Sequence, residues 1–550
     1  MTNDTRKDLL KTHPRAVVHL RSQVVKKRFG LVLGAGISVD LGVPMWKSLV
    51  TSIASDSEID GKAIICNEVG GRTLPYQSEL LFQHLSKKMQ KELDPSLSEL
   101  AKQSTIQAKW AEICAKHIYA KTPTDIEKAL SDHVYFKSLL PLIRTSYLTI
   151  TFNFDDFLER ALTHTRPGAE KTTGLGYESV TDPWPQFRRT QAVIYHPHGV
   201  VPDQGRLMET PVDRFVFSEA AYSAQYVGSR GHDSSFLLSH FARNTCLIIG
   251  CALEEELRNV LMRSAQINPG NYHYYIHFID TETSGPDSAQ RELMHETNFN
   301  VYNLITLFLT REKIKAFLDL INSDEVSDES LDDLSKMAGS KLKYTYYLTG
   351  PIGVGKSTTA SLLRSLNVLD EWVEARPAIL AKPWDELNEE EKKQADEWIV
   401  TQFGLKNKNL RHSKSGLSIV DRPPLDPLMF TPIDERPNKA KALLDSICPG
   451  RTGWNVEEGV VIALQGDPEV LTSRVRATGR TEYTKDRLNK MQQAIDTIYV
   501  GEGVKKINTC NLPINEVTKR VAKIIHCDQY VPFDLHGVLS TLEKGGDGAV

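Results

Sequence analysis

The sequence predicts two α/β folds in tandem, each a parallel sheet covered by helices. Three observations carry this. Short apolar runs of strand length alternate with helical patterns along most of the chain; twice such a run passes through a glycine-rich turn into a helix; and one acidic, serine-rich stretch, Ser323 to Ser340, separates two apolar-patterned regions. The 550 residues set an expectation of roughly three or four domain equivalents. With 40% hydrophobic and 25% charged residues, the composition is that of a globular protein, not a disordered one.

In order, strands are expected at Phe29–Leu33, Tyr147–Thr151, Ala192–Tyr195, Cys246–Ile249 and Tyr274–Ile279, with a helical insertion over about residues 61–120, where Leu80, Leu81, Leu85 and Met89 recur at helical spacing. These belong to a first domain, 1–322. Residues 323–340 read as a linker, with a short capped helix through Leu331 and Leu334 as the alternative. Strands at Tyr344–Leu348, Leu417–Val420 and Val460–Leu464 then place a second, smaller domain at 341–530, followed by a carboxy-terminal tail at 531–550 that frays from Glu543 onward. No internal repeat is visible.

Lys and Arg number 66 against 70 Asp and Glu, a net charge of −4, so nothing global points to nucleic acid or an anionic membrane. The first thirty residues lack the apolar core of a secretory signal and no apolar stretch approaches the length of a membrane span, which predicts a cytoplasmic chain. Seven cysteines without a Cys-x-x-Cys pair predict packed, reduced thiols and no zinc site.

Two segments carry chemistry. In the first domain, Phe29–Leu33 runs into Gly34-Ala35-Gly36-Ile37-Ser38, where glycines let backbone amides approach a pyrophosphate at a helix start. Thr149-Ile150-Thr151-Phe152-Asn153-Phe154-Asp155 closes another strand, and Tyr195-His196-Pro197-His198-Gly199 a third. Taken singly, Asn153 or Asp155 reads as a helix cap and His198 as a structural histidine. Three polar clusters at three strand ends, however, can converge on one crevice.

In this order the motifs resemble the sirtuin-like NAD-binding family over roughly residues 25–310, and Val216-Phe217-Ser218-Glu219 and Ile248-Ile249-Gly250 fit its looser motifs. The resemblance implies a Rossmann-like sheet that takes NAD+ as substrate. In its terms Asn153 orients water and ribose, Asp155 holds the nicotinamide side, and His198 is the general base; His196 points to the other face of an extended strand. Gly34, Ala35, Gly36 and Ser38 cradle the phosphates, and Gly250 and Cys251 flank the adenosine half. The chain departs from the protein-deacylating members, since no cysteine lies between Cys114 and Cys246 to build their zinc module, and Gly42-Val43-Pro44 leads to Met45-Trp46 instead of Asp-Phe-Arg. That variant looks like the branch found in bacterial antiviral effectors, which hydrolyse NAD+. Such effectors assemble, so a homo-oligomer is implied; Trp46 is otherwise a core residue.

In the second domain, Tyr344–Thr349 leads through Gly350-Pro351-Ile352-Gly353-Val354-Gly355-Lys356-Ser357-Thr358 into a helix. This is a Walker A loop in its required context, which implies ATP, with Lys356 on the β/γ-phosphates and Ser357 on Mg2+. Asp421-Arg422 ends a second strand, and Arg474, Arg476, Arg480 and Arg487 cluster further on, as a lid over ATP or as a solvated basic face. The set resembles the deoxynucleoside and thymidylate kinases over roughly residues 342–528, where Asp421 and Arg422 contact the acceptor, a nucleoside or nucleoside monophosphate. Glu374, followed by Arg376-Pro377, is an imperfect counterpart of that family's acceptor base.

Three functions follow as expectations: an antiphage NAD+ hydrolase switched by a nucleotide-sensing kinase-like domain; a nucleoside or nucleotide kinase with an NAD-responsive module; and an ATP-driven assembly switch.

Overall fold

The computed structural model describes residues 3–65, 72–165, 176–181, 191–203, 217, 232–382, 384–450, 454–479 and 482–545. The chain divides into two units. One comprises Met1–Arg6, Gln23–Ser264 and His273–Ser327, the other Lys7–Ser22, Ala265–Tyr272 and Asp328–Val550.

In the first unit the strands are β1 (Phe29–Leu33), β2 (Leu148–Thr151), β3 (Tyr177–Val180), β4 (Ala192–Tyr195), β5 (Thr245–Ile249), β6 (His273–Phe278) and β7 (Leu304–Leu309). Every residue of β1, β2, β4 and β5 is buried, as strands covered on both faces must be. They form one parallel sheet in the order β3-β4-β2-β1-β5-β6-β7. β1 lies between β2 and β5, so the connections run to opposite sides at this point, which is where an open α/β sheet forms a crevice. The expected insertion is a pair of long helices, Leu74–Glu92 and Glu99–Ile118, packed on the helix Trp46–Ala54 through Leu81, Leu85, Trp110, Cys114 and Ile53.

The second unit holds β8 (Lys343–Thr349), β9 (Asn367–Leu369), β10 (Gly416–Asp421), β11 (Val460–Gln465) and β12 (Val504–Asn508). They too are parallel, in the order β12-β11-β8-β10-β9, with the loop after the central β8 carrying the Walker glycines. Both units are thus doubly wound parallel α/β folds.

Two stretches are more structured than a linker or a tail, the first in the manner of the short helix given as its alternative. Residues 323–340 are not a bare linker, because Asp328–Ala338 is a helix with acidic residues in its first turn, Lys336 in its last, and Leu331 and Leu334 buried. Charge placement of this sense favours a helix, and an i,i+3 leucine pair gives it a face to bury. Residues 531–545 are not a free tail either. Leu535–Glu543 is a helix capped by Asp534, and Leu535, Val538, Leu539 and Leu542 are buried against the helix Arg436–Ile447. Cys114, Cys246, Cys251 and Cys448 are free and buried. Among the described residues, no helix is long and apolar enough to cross a membrane.

Candidate functional site

The ends of four strands meet in the first unit. Gly34 follows β1, Asn153 and Asp155 follow β2, His198 follows β4, and Gly250 and Cys251 follow β5; together with Ala35 they line a cavity of about 150 Å3. Met45, Trp46, Phe152 and Phe154 supply apolar wall, and Glu254 and Glu256 supply acidic wall. Trp46 also stacks on Phe217 with centroids 5.9 Å apart, so it is both core and lining.

Asn153 is 5% exposed, and its Nδ2 donates to Ser38 Oγ at 2.9 Å. Its Oδ1 is buried without a hydrogen-bond partner. Asp155 repeats the pattern: Oδ1 accepts from the Phe157 amide at 3.2 Å, while Oδ2 is buried with no hydrogen bond of normal geometry, although the Ser38 hydroxyl is near enough to favour the charged carboxylate. An orphaned buried acceptor costs roughly 1–3 kcal/mol, so two on cavity-lining residues mark a place prepared for donors.

Burial raises the Asp155 carboxyl from 3.8 to about 6, against the opposing pull of the Ser38 hydroxyl and the Phe157 amide. Below about pH 4 the group is neutral in folded and unfolded chains alike; above about pH 6 it is ionised in both, and only the folded chain carries the cost of a buried charge. Its contribution to stability therefore falls as pH rises through this window, by about 3 kcal/mol in total. Asp155→Asn is expected to raise the thermal midpoint at pH 8, with the gain shrinking as pH is lowered from 6 to 4. A pH-independent difference in melting would contradict this.

His198 is 6% exposed; its Nε2 lies 3.1 Å from Glu256 Oε2, and the Phe152 and Phe154 rings stand 5.2 and 6.2 Å from it. His196 is fully buried and does not line the cavity. Its Nε2 is 2.8 Å from Glu159 Oε1 and its Nδ1 is 3.3 Å from the Asn153 carbonyl. Burial lowers the His196 pKa, but the Glu159 carboxylate outweighs it and holds the imidazole above its ordinary value.

The phosphate cradle differs from expectation. The amides of Gly34, Gly36 and Ser38 are engaged within the fold, donating to the carbonyls of Ile249 (3.0 Å), Gly250 (2.9 Å) and Ala35 (3.0 Å). A Cβ on Gly34 would lie 2.5 Å from the Gly250 oxygen, and one on Gly36 2.8 Å from the Gly250 Cα. These glycines let the β1 and β5 ends touch. Gly34 and Ala35 remain on the cavity wall, whereas Gly36 and Ser38 stand behind it. Val216, Ser218 and Glu219 lie outside the described residues.

The sequence reading missed Glu254 and Glu256. Their signal is the Glu254-Glu255-Glu256 run just past Gly250, at the start of the helix Glu255–Ile267, where the helix dipole favours acids.

In the second unit, Gly350, Gly353 and Gly355 have φ of +147°, +82° and +101°, backbone that glycine alone adopts freely. Lys356 opens the helix Lys356–Leu362 and turns back over the loop, donating to the Gly350 and Pro351 carbonyls at 2.7 and 3.1 Å. Burial, aided by the Arg422 charge, lowers its pKa to about 8. Ser357 Oγ donates to Asp421 Oδ2 at 2.7 Å, and Asp421 Oδ1 is buried without a partner. A serine hydroxyl beside an orphaned carboxylate oxygen fits Mg2+; among the described residues no cluster of three or more His, Cys, Asp or Glu is placed to hold a metal by itself. Thr358 is exposed on the helix.

Arg422 Nε donates to Glu371 Oε1 at 2.5 Å, and its Nη1 to Asp426 Oδ2 at 3.3 Å. Glu374 is not brought to it. That side chain is exposed and accepts from Gln402 Nε2 at 2.9 Å, so Glu371, three residues earlier, is the carboxylate on Arg422. Arg376 is exposed. Arg474 and Arg476 lie on the helix Pro468–Ala477, half-buried and exposed respectively; Arg487 lies on the helix Lys485–Ile498. Arg480 falls outside the described residues.

Compared with known families, residues 148–302 match the SIR2-like domain. The match covers 155 of the 550 residues. The matched span contains Asn153, Asp155, His198 and Gly250, four of the residues that line the cavity. No curated protein matches the chain. Among solved structures, the tunicamycin resistance protein of Deinococcus radiodurans is similar at 16% identity, covering 35% of this chain and 99% of its own, with a TM-score of 0.24. Deoxyadenosine kinase from M. mycoides is similar at 14% identity, covering 32% and 95%, with a TM-score of 0.25. Likeness at these scores carries no argument about what this chain binds.

Proposed function

We propose that the chain is an NAD+ hydrolase of antiphage defence, releasing nicotinamide, and that nucleotide binding in the P-loop unit governs it. One observation carries the reading: Asn153, Asp155, His198 and Gly250, from three strand ends within the SIR2-like span, line one cavity with two orphaned buried oxygens.

In this mechanism the bond between nicotinamide nitrogen and ribose C1′ breaks, its electron pair leaving with the nicotinamide, and positive charge builds on the ribose. Asn153 orients the ribose and the attacking water. Asp155 accepts from the leaving carboxamide, which satisfies its unpartnered oxygen. As water adds to C1′, its proton passes through a ribose hydroxyl to His198, the general base. The apolar lining of Phe152, Phe154 and Trp46 limits the entry of bulk water.

In the P-loop unit, Lys356 would meet the β/γ-phosphates of ATP, and Ser357 with Asp421 would hold Mg2+, which supplies charge neutralisation there. Arg422, paired with Glu371, would face the nucleoside or nucleoside monophosphate. Unchecked NAD+ loss kills the cell that makes the enzyme, so a nucleotide-sensitive unit on the same chain has a physical purpose as a switch. Where the wild-type rate of NAD+ loss changes with nucleotide by roughly 5–150-fold, the usual span of such coupling, Lys356→Ala is expected to abolish that response in a protein whose melting is cooperative. An unchanged response would remove the P-loop from the switch.

A further inference from the structure

The contact between His198 and Glu256 has no counterpart in the motifs and is not used in the mechanism above. Glu256 stands in the first turn of the helix Glu255–Ile267, beyond the end of β5. Its Oε2 lies 3.1 Å from His198 Nε2, with the two side chains 21% and 7% exposed. The Phe152 and Phe154 rings, from the β2 end, pack on the same imidazole. Three groups from two other elements therefore set the ring's plane, and only Glu256 makes a polar contact to Nε2 among them.

A helix start favours acids in general. Glu254 also lines the cavity, yet Glu256 is the acid that reaches the ring. A carboxylate on one imidazole nitrogen fixes the tautomer and the orientation, and stabilises the imidazolium formed when the ring takes a proton. In a largely apolar cavity that attraction is weakly screened.

Resting on the reading of this cavity as the NAD+ site, we infer that Glu256 is the positioning residue of His198: it orients the ring toward the ribose hydroxyl and stabilises the imidazolium that forms as the proton arrives. Its carboxylate also forms part of the cavity wall, so the tests must separate an effect through His198 from a direct effect on binding.

Glu256→Gln keeps the shape and removes the charge. It is expected to lower kcat for nicotinamide release by roughly 10–100-fold, a part of the 10²–10⁴ that a general base contributes, with KM moved less than about threefold. Binding of a carbocyclic NAD analogue, whose nicotinamide bond does not break, is expected to be unchanged. In a His198→Ala background the same substitution is expected to change kcat by less than about twofold, because residues that act through one another are non-additive.

An unchanged kcat, an equal loss in the His198→Ala background, or a matching loss of analogue binding overturns the inference; so does a rise in kcat, which would make the contact a restraint. No release by the wild type with any nucleotide overturns the NAD+ reading itself. Release by the wild type with Glu256→Gln unmoved overturns this inference alone.

Discussion

Replacing Asn153 with alanine is expected to lower nicotinamide release by roughly 10²–10³-fold, the cost of removing one preorganised polar group from a reacting centre. The side chain is held at one end only: Nδ2 is fixed on Ser38 and Oδ1 has no partner in the fold. Alanine loses a hydrogen bond worth about 1 kcal/mol and also removes an orphaned acceptor of similar cost, so stability should move little. The loss would therefore belong to the chemistry and not to unfolding. Chromatographic assay of nicotinamide beside a thermal melt separates the two. An Asn153→Ala protein that destroys NAD+ at the full rate would sink the proposed mechanism.

The second large effect concerns stability. Arg422→Met is expected to destabilise the P-loop unit by about 1–3 kcal/mol, because it takes a charged partner from the buried Asp426 carboxylate, whereas the part-exposed Glu371 can turn to water. Arg422 is paired with both Glu371 and Asp426, and its charge holds the Glu371 carboxyl below its ordinary range against the effect of burial. Asp426 keeps the hydroxyls of Thr349 and Tyr499 at 2.6 and 2.8 Å, which limits its loss, and the Glu371 side chain, 34% exposed, is partly screened by water. Arg422 also sits at φ +70°, where a non-glycine residue is strained by about 1–2 kcal/mol, a cost its ion pairs offset. Adding Glu371→Gln should recover part of the loss in a denaturant titration. Recovery from Glu374→Gln instead would restore Glu374 as the partner.

What the sequence revealed follows from the range of the interactions. β1, β2, β4 and β5 are fully buried parallel strands, so they read as mostly apolar runs, with threonines in β2 and at the start of β5, and their polar ends read as chemistry. β7, Leu304–Leu309, is buried except at the half-buried Phe308, but starts directly after a helix with only Asn303 between them, so no Gly or Pro punctuates it. β12 reads Val-Lys-Lys-Ile-Asn because an edge strand buries little; only Ile507 is fully covered. The helix Asp328–Ala338 was masked by its acidic composition, although Leu331 and Leu334 already marked its face. The helix Leu535–Glu543 hid beside a glycine-rich end, with its apolar residues at 535, 538, 539 and 542 in helical spacing.

At the sites, residue types were legible and partners were not. The choice between Glu371 and Glu374 is a matter of three positions after β9, and only the placement of Arg422 across the sheet decides it. Likewise, the glycines after β1 looked like a cradle for phosphate, but Gly34 and Gly36 are required by contact with Gly250, more than 200 residues away in the chain. His198 and Glu256 are 58 residues apart, and no local pattern joins them.

The central claim is that this cavity breaks the nicotinamide bond of NAD+ under nucleotide control. Its most direct test is nicotinamide release by the purified full-length chain, read by chromatography with and without ATP, Mg2+ and a panel of nucleosides and nucleoside monophosphates. The account predicts release that changes markedly with one of these nucleotides and is lost in Asn153→Ala. Intact NAD+ under every condition, with steady ATP-dependent phosphorylation of one acceptor, would contradict it and make the chain a kinase.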